Sequence, residues 1–315
     1  MNSRPLIIRL RNWVGDVILG VPALQLLQSH GYAPQLVGKG WAKALLAGHH
    51  WPTHSRPASL RERVQQLRDL RRQARAIDSG FDRRENALVL PTSFSGALEM
   101  RLAGLRAVGY AQEARGILLS RSEPITYGGH ALTSYWELAC RFLHIEAPPP
   151  ATIDLKTLPA DQQQADVLLA EHGVRPGFVV ICPFAGGQFE KQDKTWPAFP
   201  AFTQALLQRG HQVIACPGPD EDRIISEQHP GVKLLPDVKL GAYGGLLRRA
   251  ALVVSNDTGP AHLAAAVGAP VLSVLGPTKP EQWAPWGPTV TVVRRWPDWP
   301  TVDEVLSRVD GRLAA

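Results

Sequence analysis

A chain of 315 residues, 44% hydrophobic and 20% charged, has the composition of an ordinary globular protein and the length for two domains of about 150 residues each. Its apolar runs fall short of the roughly 18 residues of a membrane span, and the one nearest the start is too brief, and too broken by Arg9 and Arg11, to act as a secretion signal. Three scattered cysteines, Cys140, Cys182 and Cys216, speak against a disulfide framework or a thiolate metal site and for a reduced, cytoplasmic setting.

The formal charge of +6 is uneven: nine arginines lie between Arg56 and Arg84, against four acids, Glu62, Asp69, Asp78 and Asp82. Such a run is either a solvated helical face or a landing surface for an anionic partner. Without aromatic interleaving or a recognisable binding module, nucleic acid is the weaker candidate partner.

In chain order, the amino half alternates strands at residues 5–10, 35–38, 87–90, 107–110 and 117–119 with helices at 17–29, 41–47, 60–76 and 95–102. A strongly amphipathic helix follows at 130–144, with Leu132, Tyr135, Trp136, Leu138, Ala139, Phe142 and Leu143 near one face. The run "EAPPPATIDLKTLPAD" then blocks helix and favours extended chain, which puts a domain boundary near 146–158 and divides the chain into 1–150 and 151–315. The carboxyl half alternates again, with helices at 161–172, 197–208, 220–228, 241–250 and 260–267 and strands at 178–182, 212–215, 232–234, 252–255 and 271–275. This pattern predicts α/β architecture: two doubly wound parallel sheets, each covered by helices on both faces.

Ligands of such sheets sit beyond the carboxyl ends of the strands, and the unusual residues cluster there. In "LRNWVGDVILGVPAL" the first strand runs through Arg-Asn-Trp into a Gly-Asp pair before an apolar helix. Asp16 is there either an N-cap, accepting from orphan amides, or a carboxylate that does chemistry. In "VVSNDTGPAHLAAAVGAP" a strand ends at Asn-Asp-Thr-Gly, and Pro260 suits the first helical turn. The amides of Ala261 and His262, the Thr258 hydroxyl and the close backbone approach allowed by Gly259 make an anion site suited to a diphosphate, with Asp257 orienting the loop or meeting hydroxyls.

"CPFAGGQFEKQDKTWPAF" leaves another strand, crosses Ala-Gly-Gly and meets a helix whose first turn Pro197 suits. Lys194, beside the Trp196-Pro197 anchor, is the candidate phosphate-binding cation, and Lys191 reads as solvated. In "ACPGPDEDRI" a third strand turns through Pro-Gly-Pro into an acidic helix start, where Glu221 suits ribose hydroxyls. The run of Asp220, Glu221 and Asp222 also has the D-x-D form of a metal site, but acids at a helix start complement its dipole without metal. Diphosphate, lysine and ribose-reading acid together describe a nucleotide or nucleotide-sugar pocket. No cofactor and no metal are called for.

The strings "RNWVGDVILGVPAL", "KTWP", "NDTGPAHLAAAVGAP" and "LGPTKPEQWAPWG" resemble the ADP-heptose:lipopolysaccharide heptosyltransferases, glycosyltransferase family 9, from the first strand to about Gly287. The resemblance implies the GT-B fold, two Rossmann-like domains facing a cleft, the first binding acceptor and the second the nucleotide-sugar donor. It implies Asp16 as the catalytic carboxylate of an inverting transfer. Lys194, Thr258, Gly259 and His262 would hold the donor diphosphate, Glu221 the ribose, and Asp257 would contact the donor. The implied donor is ADP-heptose and the implied acceptor a lipid-anchored anionic glycan, reached from the cytoplasmic face of the inner membrane. Arg68, Arg71, Arg72 and Arg75 are then the candidate acceptor-docking residues. Two other readings stand beside this one: a nucleotide-sugar epimerase of the same architecture, which needs acid–base groups on both sides of the sugar, and a nucleotide-sugar-binding protein without turnover.

Overall fold

The computed structural model describes residues 4–218 and 221–313. The chain divides into two compact units, Met1–Pro150 and Ala151–Ala315. The first holds strands β1 (Arg4–Arg9), β2 (Tyr32–Gly38), β3 (Thr53–Ser55), β4 (Ala87–Val89), β5 (Ala107–Tyr110) and β6 (Arg121–Glu123). Its helices are α1 (Val14–Ser29), α2 (Ala42–Leu45), α3 (Leu60–Ile77), α4 (Phe94–Leu102) and α5 (Ala131–Leu143). The strands form one six-stranded sheet in the order β3-β2-β1-β4-β5-β6, every pair parallel. That order reverses between β1 and β4, where Arg9 lies opposite Val89. The apolar runs of the central strands are buried on both faces, as a helix-covered parallel sheet requires.

The second unit repeats this plan. Its strands are β7 (Val179–Cys182), β8 (Gln188–Phe189), β9 (Gln192–Asp193), β10 (Val213–Ala215), β11 (Lys233–Leu234), β12 (Leu252–Ser255), β13 (Val271–Leu275) and β14 (Val290–Arg294). Its helices are α6 (Pro159–Glu171), α7 (Phe199–Gln208), α8 (Asp222–Gln228), α9 (Leu240–Leu247), α10 (Gly259–Ala266), α11 (Pro280–Trp283) and α12 (Val302–Leu313). The sheet order is β11-β10-β7-β12-β13-β14, again all parallel, with β8 and β9 apart as a small antiparallel hairpin. Its core packs Trp196, Phe199 and Phe202 against strand residues such as Ile181 and Val254 and against Val305, Leu306 and Val309 of α12.

Several elements differ from the sequence expectation. The strand expected at 117–119 is a 3-10 turn, Arg115–Leu118, and the strand follows at β6. Arg115 is fully buried there, its guanidinium donating to the carbonyls of Tyr110, Pro91 and Ser93, which fastens the chain in a turn. Pro197 lies in the turn before α7, and Pro200 occupies that helix's first turn instead. After Ala185, Gly186 and Gly187 the chain forms the β8–β9 hairpin, which the sequence pattern did not indicate, with Glu190 and Lys191 at positive φ in its turn. The expectation ended at residue 275, and β14 and α12 complete the second sheet and its cover.

Candidate active site

In each sheet the chain leaves in opposite directions from two neighbouring strands, and the gap beyond their carboxyl ends is where ligands of this fold lodge. In the first unit that position follows β1. Helix α1 starts at Val14, a turn earlier than the apolar pattern indicates, and Trp13 is its N-cap. Asp16 is therefore inside the first turn and is not the cap.

Asp16 is 9% exposed. Its Oδ1 accepts a hydrogen bond of 2.7 Å from the Tyr135 hydroxyl on α5 and lies 3.4 Å from Arg11 Nε. Burial, and then the neighbouring Asp16 charge, push the Tyr135 phenol well above its ordinary pKa, so it stays protonated and donates. Next to this pair, Glu99 on α4 is buried and shared by three guanidiniums: Arg56 at 3.0 Å, Arg9 at 3.4 Å and Arg63 at 4.0 Å. Burial and the nearby Arg56 charge push Arg9 down to about 10. Arg9 also donates to Asn12 Oδ1 at 2.9 Å, so the Arg-Asn of the opening loop is tied to the strand it leaves.

The structure does not bring Arg68, Arg71, Arg72 and Arg75 to Asp16. Helix α3 runs antiparallel to the strands, so its second half returns to their amino ends. Arg71 makes a two-point pair with Asp82 at 2.8 and 3.0 Å, and Arg75 approaches the same carboxylate at 3.2 Å, just ahead of β4. Arg68 donates to the Leu102 carbonyl at 3.1 Å, ahead of β5, and Arg72 pairs with Asp69 at 2.5 Å. With the 102–104 segment they line a cavity of about 300 Å³ at that edge.

In the second unit, β7 and β12 are neighbours, with Cys182 opposite Ser255, and their following loops carry Lys194 and Asp257. Lys194 Nζ is 3.1 Å from Asp257 Oδ2, the fully buried Thr278 hydroxyl donates to the same oxygen at 2.8 Å, and His262 Nε2 lies 4.0 Å from Oδ1. Asn256 fastens the two loops: its Oδ1 accepts from the Trp196 amide at 3.1 Å and its Nδ2 donates to the Pro183 carbonyl. The Trp196 indole donates to the Pro300 carbonyl at 3.0 Å, so the lysine loop is anchored on both sides.

Thr258 is the N-cap of α10 in extended conformation, and its side chain makes no capping bond. The amide of Ala261, expected free for an anion, is taken by the Thr258 carbonyl at 3.1 Å. The strand β10, on the other side of β7, leads to Glu221 at the N-cap of α8, whose Oε2 accepts from the Gly218 amide at 2.7 Å. Asp220 lies outside the described residues. Lys191 stands exposed in the hairpin turn. Thus Lys194, Asp257, Thr258, Gly259 and His262 gather at one pair of strand ends, with Glu221 beyond the end of the adjacent strand β10. Sequence reasoning missed Tyr135, Arg11, Thr278, Asn256 and the Glu99 cluster. Among the described residues no group of three or more His, Cys, Asp and Glu side chains could hold a metal ion.

Two doubly wound parallel sheets, each with polar and charged side chains gathered beyond its central strands, define a two-unit α/β protein. The chain belongs to glycosyltransferase family 9 (heptosyltransferase), which it matches over residues 70–307. It is 34% identical to a lipopolysaccharide heptosyltransferase 3 of Escherichia coli over 136 residues, 41% of this chain and 39% of that protein's length. Among solved structures, it superposes on E. coli ADP-heptose lps heptosyltransferase II with a TM-score of 0.79 at 20% identity, covering 98% of both chains. It also superposes on E. coli heptosyltransferase WaaC with ADP-2-deoxy-2-fluoro heptose, with a TM-score of 0.71 at 21% identity over 98% of this chain and 99% of that one. The fold is the two-domain GT-B α/β fold.

Proposed function

We propose that this protein transfers heptose from ADP-heptose to a lipopolysaccharide-core or related surface-glycan acceptor, with inversion at the anomeric carbon. One observation carries the reading: Asp16, inside a helix start at the strand-order reversal, is held by a buried phenol and an arginine instead of capping its helix. Asp16 takes the proton of the acceptor hydroxyl as that oxygen attacks the anomeric carbon, and the C–O bond to the diphosphate breaks in the same step. The departing ADP is stabilised by Lys194 and the Thr258–Gly259 turn, where negative charge grows. Asp257 and Thr278 keep Lys194 in place, and Glu221 receives the ribose. The similarity to proteins whose names specify ADP-heptose supports the donor.

The acceptor is a lipid-anchored anionic glycan met at the cytoplasmic face of the inner membrane. The proposed contact with that membrane is peripheral; among the described residues no helix is long and apolar enough to cross a membrane. The arginine edge of α3 docks the anionic part of that acceptor away from its reacting hydroxyl. Exchanging Arg68, Arg71, Arg72 and Arg75 for Gln should raise the acceptor KM and leave the donor KM unchanged; unchanged values for both make the edge a solvated face.

The deciding experiment incubates the protein with ADP-heptose and core acceptors of increasing length, with and without excess EDTA. Heptosylated product in both conditions is the expected result. An altered sugar nucleotide formed without acceptor points instead to an epimerase, and tight ADP-heptose binding without any product to a binding protein. Loss of product in EDTA, restored by Mg²⁺ or Mn²⁺, overturns metal independence.

A further inference from the structure

Helix α5 packs along α1, and this brings Tyr135 against Asp16 across 119 positions of sequence. The phenol ring is buried, and its hydroxyl donates to Oδ1 at 2.7 Å. Arg11 Nε approaches that same oxygen, at 3.4 Å. Both of these contacts of the carboxylate therefore fall on one oxygen. The phenol is kept protonated by burial and by the charge it faces, so the direction of the bond is fixed, with Tyr135 donor and Asp16 acceptor.

We propose that Tyr135 is the positioning residue for Asp16: it pins Oδ1, turns Oδ2 toward the acceptor hydroxyl as the atom that receives the proton, and sets the basicity of the carboxylate. The inference rests on the reading of Asp16 as general base. A carboxylate with one oxygen pinned keeps a single rotamer for proton transfer. A donor on the charged form lowers its affinity for a proton, so removing the donor raises that affinity.

A merely structural tyrosine would affect folding and nothing else. Tyr135→Phe keeps the ring volume and removes only the hydroxyl. We expect kcat to fall about tenfold while the KM for ADP-heptose is unchanged, and the acidic limb of the pH–rate profile to move to higher pH, because the base must lose its proton before it can accept one. The titration of the Asp16 carboxyl carbon, followed by NMR in aspartate-labelled protein, should move in the same direction and needs no turnover. Should the Phe variant fail to fold, a ring-fluorinated tyrosine at 135, a stronger donor, should move both titrations to lower pH.

Asp16→Asn is measured alongside. Full turnover in Asp16→Asn removes the reading of Asp16 as base. An inactive Asp16→Asn together with unshifted titrations and unchanged kcat in the Tyr135 variants leaves that reading in place and overturns the role of Tyr135.

Discussion

The two units share a strand order and differ in the residues placed just after the central strands. Counted within each six-stranded sheet, both run 3-2-1-4-5-6. At the reversal point of the first, a carboxylate is held by a neutral donor and an arginine, beside three guanidiniums gathered on Glu99. At the same point of the second, a lysine is held by a carboxylate and a hydroxyl, beside a helix start. The sheet supplies the place, and on the proposed function a handful of residues after the strand decide whether that place takes a proton or holds an anion. Such a division of labour can be broken by changing one unit and reading a property assigned to the other.

The largest effect is expected at Asp16. Asp16→Asn keeps the size of the side chain and an oxygen for Tyr135, yet removes the proposed base, so transfer should fall by a factor on the order of 10² or more. ADP affinity, measured by calorimetry, should not change if donor binding belongs to the second unit, as proposed. Equal losses of turnover and of ADP binding would dissolve the distinction between the two reversal points.

Lys194→Ala tests the other side. It removes the cation proposed to meet the diphosphate and leaves the buried Asp257 without its 3.1 Å partner. Loss of a charge-assisted hydrogen bond, roughly 1.5–3 kcal/mol, predicts ADP binding weaker by about 10- to 100-fold. Repulsion from the Asp257 carboxylate, no longer offset by the lysine, adds to this, so Lys194→Ala with Asp257→Ala should bind ADP better than Lys194→Ala alone. If the double variant binds worse, Asp257 touches the donor itself and does more than hold the lysine.

Asn256→Ala acts on architecture. It strands the Trp196 amide and the Pro183 carbonyl, both of which Asn256 serves in a buried setting. An unmet buried partner costs about 1–3 kcal/mol, so a loss of roughly 2–3 kcal/mol is expected in urea unfolding. Unchanged stability would show that the Trp196–Pro300 bond alone holds the lysine loop.

These residues also mark how far a sequence can be read. The strand–helix alternation, the central strands and the loops carrying Asp16, Lys194 and Asp257 were legible because apolar period and turn chemistry are local signals. Asp16's place in its helix was misjudged because Val14 and Gly15 extend the helix without adding to its apolar stripe. Edge strands β3 and β6 are three residues each, too short to show a period, and β14 and α12 lie around a run rich in tryptophan and proline. Tyr135 looked like one more apolar position of an amphipathic helix, and Thr278 like part of a turn. Their partners are 119 and 21 residues away, and no spacing rule announces such a contact.

The smallest expected effect lies in the second unit's core and concerns pH. His229 is buried against Phe199 and Phe184, and burial pushes its pKa down to about 4. Thr203 Oγ1 donates to the Phe199 carbonyl, so it accepts from His229 Nδ1–H at 3.0 Å, and the ring is neutral in the folded state. The unfolded chain takes up a proton on this side chain near its ordinary value of 6.5. Between 6.5 and about 4 the unfolded state therefore binds more protons, and stability rises with pH. The contribution is complete above that window, drains away as pH falls through it, and is constant below. Between pH 7 and pH 5 it should amount to about 1–2 kcal/mol. His229→Gln keeps a donor for Thr203 and cannot titrate, so its unfolding free energy should lose that part of the slope. Parallel curves for the two proteins would mean that the acid sensitivity of this unit comes from other groups, and that His229 is already protonated or already exposed to water when the unit is folded.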